Sequence, residues 1–369
     1  MQLKGLAGGA GAVRGLAHAT SVVDDRRRSE IRSRPASSIE PVETVGDVGE
    51  RALIALFARA AQAAPSGGRD DVVIGSGDDA AVFSPSGPVV VSTDTAVADR
   101  HFRFDYSSPR QIGARAVVQS AADISAMGGT LTGVVVSIGC PTQTPVERLL
   151  EINAGIVAQT HRYGARLLGG DLVAAPTVVI TVTSLGVLDG TAAVTLSGAR
   201  PGDVLALSGP MGGPAAGLAA LAADDRAAVD RYRTLVDDYR LPQPDPAQGP
   251  IAARCGARAM TDVSDGLVEE LVTMAAASDV RIDVRSSAVP HAARLGELAA
   301  DLGVDPIRWA LVGGEEHELL AAFAPDAVPP GWTVIGDVAE AGHVAGAYID
   351  GEPVGDIRGW QSFTDVGDR

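Results

Sequence analysis

Five short segments of the chain place an aspartate beside glycine, serine or threonine, a pattern suited to oxygen-ligand chemistry. The segments are Gly77-Asp78-Asp79, Ser92-Thr93-Asp94-Thr95, the surroundings of Asp123, Gly169-Gly170-Asp171 and Asp262-Val263-Ser264-Asp265-Gly266. Hard cations such as Mg²⁺ bind oxygen ligands and keep several of their waters. Carboxylates from several loops could hold such ions against a polyphosphate and neutralise charge during phosphoryl transfer.

Each segment also has a purely structural explanation. Aspartate before glycine is a common turn residue, and Ser264 could simply cap a helix. That explanation is weakest for Asp123, because its neighbours are Ala121, Ala122 and Ile124, and a half-buried carboxylate needs a partner.

Two glycine-rich segments could hold phosphate, and a third carries an unusual run of charge. Gly209 to Gly217 would place free N–H groups at a helix N-terminus, which is an anion site, and Gly169-Gly170 permits close approach beside Asp171. Gly313-Gly314-Glu315-Glu316-His317-Glu318 places three glutamates after a diglycine, and a solvated helix start is the alternative explanation.

Composition excludes several classes of protein. The 369 residues carry 30 basic and 46 acidic side chains, a net charge of −16, so we expect no nucleic acid partner. Lys4 is the only lysine, which excludes Schiff-base enzymes, P-loop proteins and protein kinases. The two cysteines, Cys140 and Cys255, form neither a disulfide framework nor a cysteine zinc site. The sequence has no long apolar run and no secretory signal, so we expect no membrane partner and a cytoplasmic setting.

The pattern of elements predicts an α+β fold with two α/β domains. Residues 1–45 are predicted to be a disordered extension, with order beginning near Val48 and a helix opening at Gly49. Further helices are predicted over 109–127, 144–163 and 264–278, and strands over 71–74, 80–83, 88–91, 134–138, 165–168, 177–188 and 204–208. These bounds would place Asp123 inside the first long helix and the other aspartates at strand ends or helix starts. The polar turn over 197–203 predicts a boundary between domains 46–196 and 197–369.

Taken in order, the motifs resemble those of thiamine-monophosphate kinases, within the aminoimidazole ribonucleotide synthetase-like ATP-binding superfamily. The resemblance covers residues 48–363 and rests on Gly-x-Gly-Asp-Asp, Ser-Thr-Asp-Thr with His101-Phe102, Asp-x-x-Ala-Met-Gly, Gly-Gly-Asp, Ser-Gly-Ala-x-Pro-Gly-Asp, Asp-x-Ser-Asp-Gly-Leu and Gly-Gly-Glu-x-x-Glu-Leu. It implies an N-terminal mixed-sheet domain that dimerises and a C-terminal α+β domain. ATP and several Mg²⁺ ions would bind in the cleft between them, in a homodimer.

The resemblance also implies a role for each matching residue. The implied metal ligands are Asp79, Ser92, Thr93, Asp94, Asp123, Asp171, Asp262 and Asp265, of which Asp94, Asp123 and Asp265 would be the catalytic carboxylates. Gly170, Asp171 and Ser264 would contact ATP, and His101, Glu315 and Trp360 would contact thiamine monophosphate. The γ-phosphoryl group would pass directly to the substrate phosphate, whose attacking oxygen is already anionic and needs no strong base.

Three departures from the family pattern keep alternatives open. Ser120 stands where asparagine is usual, Leu172 where threonine is usual and Leu196 where arginine is often found. One alternative is another ATP-dependent member of the superfamily. Selenophosphate synthetase is disfavoured because it needs a reactive cysteine or selenocysteine and a lysine, and the hydrogenase-maturation relative because it needs a C-terminal cysteine. The other alternative is a non-catalytic nucleotide-binding homologue, which would bind ATP without turnover.

Overall fold

The computed structural model describes residues 42–63, 71–76, 80–223, 225–342 and 345–360. Residues from Glu43 onward form one compact unit. Residues 1–41, which make up most of the predicted extension, and the predicted ligand Asp79 lie outside the described residues. The boundary predicted near residue 197 stays a prediction.

Eleven helices and thirteen strands are defined within the described residues. The helices are α1 Val45–Val48, α2 Glu50–Ala63, α3 Pro109–Ala126, α4 Val146–Arg162, α5 Gly213–Ala222, α6 Arg226–Arg231, α7 Arg233–Arg240, α8 Gln248–Arg254, α9 Leu267–Ser278, α10 Leu295–Leu302 and α11 Pro306–Val312. The strands are β1 Val72–Ile74, β2 Val82–Phe83, β3 Val89–Val97, β4 Thr130–Cys140, β5 Arg166–Ala174, β6 Val179–Val187, β7 Val204–Leu207, β8 Ala259–Asp262, β9 Val280–Val284, β10 Leu319–Phe323, β11 Thr333–Glu340, β12 Gly346–Ile349 and β13 Glu352–Pro353.

The first large sheet has four strands in the order β3-β6-β4-β5, so β3 and β5 form its two edges. The β3–β6 and β6–β4 pairs are antiparallel, and the β4–β5 pair is parallel. Side chains alternate between a buried and a more exposed face, as the period of two in a strand requires. The buried face packs against helix α3 and forms the first hydrophobic core, which includes Val136, Ile138, Ile180 and Val182.

Helices α3 and α4 lie over this buried face and approach each other at backbone distance. A Cβ atom at Gly113 would come 2.0 Å from the carbonyl oxygen of Ile152, and one at Gly155 would come 1.9 Å from that of Arg110. Helix α3 begins at a capping box, in which Ser108 and Gln111 satisfy each other's backbone N–H groups. Its bounds agree with the helix predicted over 109–127.

The second sheet has seven strands in the order β13-β12-β9-β11-β7-β10-β8. Its pairs are antiparallel except for β12 with β9. Leu205, Leu207, Leu320 and Ile335 are fully buried in its core. Strand β8 lies at the edge of this sheet, contacts α3 and ends at Asp262. The Asp262-Val263-Ser264-Asp265 segment therefore lies beside α3. The α+β architecture with two mixed sheets is confirmed.

Two of the predicted strand ends are wrong. Asp94 lies inside β3 and Asp171 lies inside β5, because both strands continue past the polar residues. In β3 the β-branched side chains of Thr93 and Thr95 lie on the exposed face and favour the strand conformation. Ser92 and Asp94 lie on the more buried face of the same strand. Among the described residues, no helix combines the length and apolar character needed to cross a membrane.

Candidate active site

A cluster of carboxylates forms where β3, α3 and the end of β8 meet. Ser92 and Asp94 are two residues apart on β3 and therefore point to the same inner face of the sheet. The Ser92 hydroxyl donates a hydrogen bond to Oδ2 of Asp123 on α3. Asp262 at the end of β8 acts electrostatically on both Asp94 and Asp123, and on Asp265 three residues later.

The cluster carries more negative charge than its own hydrogen bonds can satisfy. Burial raises the pKa of Asp123 to about 7, and the charge of Asp262 adds to the shift. Burial likewise raises the pKa of Asp94 and of Asp265 above their ordinary value. Oδ2 of Asp94 is buried and has no hydrogen-bond partner among the described residues. Repulsion among such crowded carboxylates raises their pKa values and would be relieved by a bound cation.

His317 is a member of the site that the sequence analysis did not identify as functional. Its Nδ1 lies 3.0 Å from Oδ2 of Asp262, and both side chains are almost fully buried. The predicted alternative of a helix start at Gly313 is wrong, because residues 313–318 form an irregular loop leading into β10. The N–H groups of Glu315 and His317 donate to the carbonyls of Ser264 (2.8 Å) and Val263 (3.0 Å).

This loop holds Glu315 in a left-handed backbone conformation. Glu315 has a φ of 69° and follows Gly314 at 72°. A non-glycine residue in that region costs about 1–2 kcal/mol, which the surrounding structure must offset. Glu315 is paired with the buried Arg115 of α3, so its carboxylate is fixed beside the aspartate cluster.

His101 and Trp360 lie close together on the same side of the site. Their ring centroids are 6.2 Å apart with an interplanar angle of 58°. The backbone N–H of Trp360 donates to the carbonyl of Asp265 at 2.8 Å, and the ring Nδ1 of His101 accepts from the backbone N–H of Val97 at 3.1 Å. Burial lowers the pKa of His101, and the charge of Glu315 acts on it in the opposite direction. The three implied substrate residues are therefore neighbours.

Three predicted site residues lie away from this cluster. Thr93 points to the opposite face of its strand from Asp94, where its hydroxyl meets that of Thr183 at 3.0 Å. Gly170 and Asp171 lie on β5, at the far edge of the sheet from β3. Three strand spacings, about 14 Å, separate these edges.

Gly170 and Asp171 instead line a separate cavity of about 180 Å³ at the β5 edge. Ile54 and Phe57 of α2 and Asn153 of α4 also line it, and none of these three was singled out from the sequence. Gly170 has a structural requirement too, since a Cβ there would come 2.1 Å from the carbonyl oxygen of Val136.

The start of helix α5, predicted as a free anion site, is already used by the chain. The Gly212 N–H donates to Oε1 of Glu316 at 2.7 Å, and burial raises the pKa of Glu316 to about 8. A side-chain carboxylate thus lies where a phosphate was expected, and this expectation is wrong.

The three departures from the family pattern have local explanations. Ser120 is fully buried and donates to the carbonyl of Val182 at 3.0 Å. Leu172 belongs to the first core, and Leu196 packs against the second.

The carboxylates of the cluster offer oxygen ligands of the kind that Mg²⁺ prefers. Within the part of the chain that the structure describes, no three His, Cys, Asp or Glu side chains form a group that would hold an ion unaided. Mg²⁺ in phosphoryl-transfer sites is usually bound by one or two carboxylates together with water and substrate phosphates. The all-oxygen donor set and the unpartnered Asp94 Oδ2 fit that mode of binding.

Comparison with known proteins agrees with this architecture. Residues 77–188 match the family model of the AIR synthase related protein N-terminal domain, and residues 200–349 match that of its C-terminal domain. The fold and the site between the two sheets thus define an AIR synthase-related protein.

Two relatives of known name narrow this class to one kind of kinase. The thiamine-monophosphate kinase of Mycobacterium tuberculosis H37Rv is 43% identical over 294 residues, which is 79% of this chain and 86% of the relative. That of Corynebacterium glutamicum is 41% identical over 331 residues, covering 88% of this chain and 97% of the relative. The chain belongs to the thiamine-monophosphate kinase family.

Solved structures show the same fold. The structure of AaThiL complexed with AMPPCP and TMP aligns with a TM-score of 0.70 at 26% identity, covering 86% of this chain and 98% of that one. The thiamine-monophosphate kinase of Stenotrophomonas maltophilia K279a aligns with a TM-score of 0.70 at 28% identity, covering 82% and 96%.

Proposed function

We propose that this protein phosphorylates thiamine monophosphate with ATP, giving thiamine diphosphate and ADP. The observation that carries the proposal is the meeting of the Asp94–Asp123–Asp262 cluster with His101, Glu315 and Trp360. The relatives named above are thiamine-monophosphate kinases, and the AaThiL structure holds an ATP analogue together with TMP.

Mg²⁺ is the cation that the cluster would hold. Asp94, Asp123, Asp262 and Asp265 supply the hard oxygen ligands, and the ion would neutralise phosphate charge as it develops in the transition state. Ser92 fixes Asp123 through its hydrogen bond, and His317 fixes Asp262. Asp79, Thr93 and Asp171 are proposed as ligands of further Mg²⁺ ions outside this cluster.

The chain's own side chains would act mainly by positioning. The substrate phosphate oxygen is anionic, so no side chain has to remove a proton from it before attack. Glu315, His101 and Trp360 would orient thiamine monophosphate, because they surround the approach to the carboxylates. Positioning of this kind requires no lysine in the site, which agrees with a chain whose only lysine is Lys4.

We further propose that the working unit is a homodimer in the cytoplasm. The outer face of the four-stranded sheet exposes apolar side chains, including Val91 at 59% and Val173 at 48% exposure. The same sheet has two edge strands, β3 and β5, which a second copy could approach. A second copy could bring Gly170 and Asp171 of its β5 edge, with the cavity they line, to the carboxylates of the first.

The experiment is a turnover assay with ATP, Mg²⁺ and thiamine monophosphate, followed by chromatographic separation of the products. We expect thiamine diphosphate and ADP in equal amounts, and neither product without the acceptor. The matched control is Asp94→Asn, which should abolish turnover. Binding of ATP without thiamine diphosphate would instead support a silent homologue or a superfamily member with another acceptor.

A further inference from the structure

Arg115 is a buried cation at the edge of the acidic site. It lies on α3, two helical turns before Asp123, and its side chain is only 7% exposed. A buried arginine needs partners for its charge and its donors, so the groups around it show what it holds in place.

Its partners come from two other elements of the fold. Nη2 pairs with Oε1 of Glu315, and Nη1 donates to the carbonyl of Tyr239 at 3.1 Å. The guanidinium carbon also lies 4.9 Å from the centroid of the Tyr239 ring. Tyr239 is near the C-terminus of α7, where backbone carbonyls lack helical partners and favour a cation.

The Glu315 side chain depends on Arg115 for a fixed position. Its backbone is in the left-handed region, and its side chain keeps 37% of its surface exposed. An exposed glutamate otherwise samples several rotamers, whereas a guanidinium bond to one oxygen fixes the carboxylate and leaves it open to a ligand.

We propose that Arg115 is a positioning residue for the acceptor substrate, which holds the Glu315 carboxylate in its binding geometry. Arg115 itself is anchored by the Tyr239 carbonyl and ring. This inference rests on the proposed function, because it takes Glu315 to contact thiamine monophosphate.

The test compares Arg115→Met and Arg115→Lys with the wild type in steady-state assays and in thiamine monophosphate binding by calorimetry without ATP. We expect the KM and Kd for thiamine monophosphate to rise about 10- to 100-fold in Arg115→Met, the range for losing a hydrogen bond to a charged group. The KM for ATP and kcat should change about twofold or less. Arg115→Lys should recover only part of the loss, because an ammonium lacks the planar fork that reaches both partners.

Arg281 provides a matched control outside the site. It also pairs with a carboxylate, Asp283 at 2.8 Å, and lies over a tyrosine ring, Tyr348 at 3.6 Å. Arg281→Met should leave the KM for both substrates unchanged. A double variant of Arg115→Met with Glu315→Gln should bind thiamine monophosphate no more weakly than Glu315→Gln alone.

Several outcomes would overturn the proposal. One is a loss of kcat with an unchanged KM for thiamine monophosphate, and another is a strictly additive double variant. A third is an equal rise in the KM for ATP. Should Arg115→Met not fold, Arg115→Lys carries the same comparison. A wild type that binds thiamine monophosphate without turning it over would contradict the proposed function, yet the calorimetric comparison would still test Arg115.

Discussion

Asp94 and Asp171 lie on the two edge strands of one sheet and point to its opposite faces. Asp94 pairs in register with Val182, which pairs with Val136, which pairs with Gly170. Asp171, one residue further along β5, therefore belongs to the other face. About 14 Å of sheet separates the two edges, so these aspartates cannot ligate one ion within a single chain.

Mixing two inactive variants tests whether two copies share the site. We expect Asp94→Asn and Asp171→Asn to be inactive alone and to recover about a quarter of wild-type activity after refolding together. Half of the randomly formed dimers are mixed, and each of these carries one intact site of two. Asp94→Asn mixed with Asp262→Asn is the control, because both residues lie in one cluster and no intact site can form. Absence of recovery in the first mixture would show that Asp171 does not complete the site of a second copy.

Asp94→Asn should separate catalysis from folding. Oδ2 of Asp94 is buried without a partner and burial raises the pKa of this carboxyl, so removing its charge should raise the metal-free melting temperature by a few degrees. Turnover should fall by at least about a thousandfold, because a ligand of the phosphate-bound cation is lost. Calorimetric scans with and without Mg²⁺ and an ATP analogue measure both effects. Near-wild-type turnover would refute the metal assignment.

Gly170→Ala should destabilise the parallel β4–β5 pair. The added Cβ would lie 2.1 Å from the Val136 carbonyl oxygen, so one strand must move and the free energy of unfolding should fall by about 1–3 kcal/mol. Gly169→Ala is the matched control, because nothing lies within 4 Å of its added Cβ. Urea titrations of the two variants give the comparison, and equal stability of both would contradict the close contact at Gly170.

The free energy of unfolding should fall as the pH rises from about 4.5 to 8, because of the buried Glu316 side chain. Its pKa is raised by burial from 4.5 to about 8. The unfolded chain loses this proton near pH 4.5 while the native protein keeps it, so between these values the native state binds more protons and loses stability with rising pH. The loss should be complete somewhat above pH 8.

Glu316→Gln mimics the protonated side chain and should therefore flatten this dependence. Urea midpoints measured from pH 5 to 8.5 would show it, with the exposed Glu352→Gln as control. Asp123, Asp238 and Glu270 also have raised pKa values, so a smaller slope should remain. An unchanged slope in Glu316→Gln would contradict the assignment.

Truncation should distinguish residues 1–41 from those that follow. Removal of residues 1–41 should leave turnover unchanged. Removal of 1–48 should lower the melting temperature, because the N–H groups of Val45 and Gly46 donate to the carbonyls of Thr144 (2.9 Å) and Thr142 (2.8 Å). Activity and thermal unfolding of both truncations provide the test, and loss of activity in the shorter truncation would show that the N-terminal segment belongs to the site or the dimer.

The sequence determined the chemistry of this protein and its longer elements. The oxygen ligands, the lack of a usable lysine and the order of the motifs are properties of residue type and spacing. Helix α3 was predictable because the capping box at Ser108 and the glycines after Met127 mark its ends locally. The polar strand segments at Asp94 and Asp171 were predicted wrongly, because aspartate favours turns in isolation and only cross-strand pairing with β6 and β4 keeps these residues in strands.

The tertiary structure decided which of these residues meet. Asp94, Asp123 and Asp262 are far apart along the chain and converge because α3 packs between the two sheets. The roles of His317 and Arg115 had no local signal, since each is defined by a partner more than 50 residues away: Asp262 for His317 and Glu315 for Arg115. Strand order likewise placed Asp171 beyond the reach of Asp94. Local propensity is encoded over a few residues, whereas burial and charge pairing depend on contacts that exist only once the chain has folded.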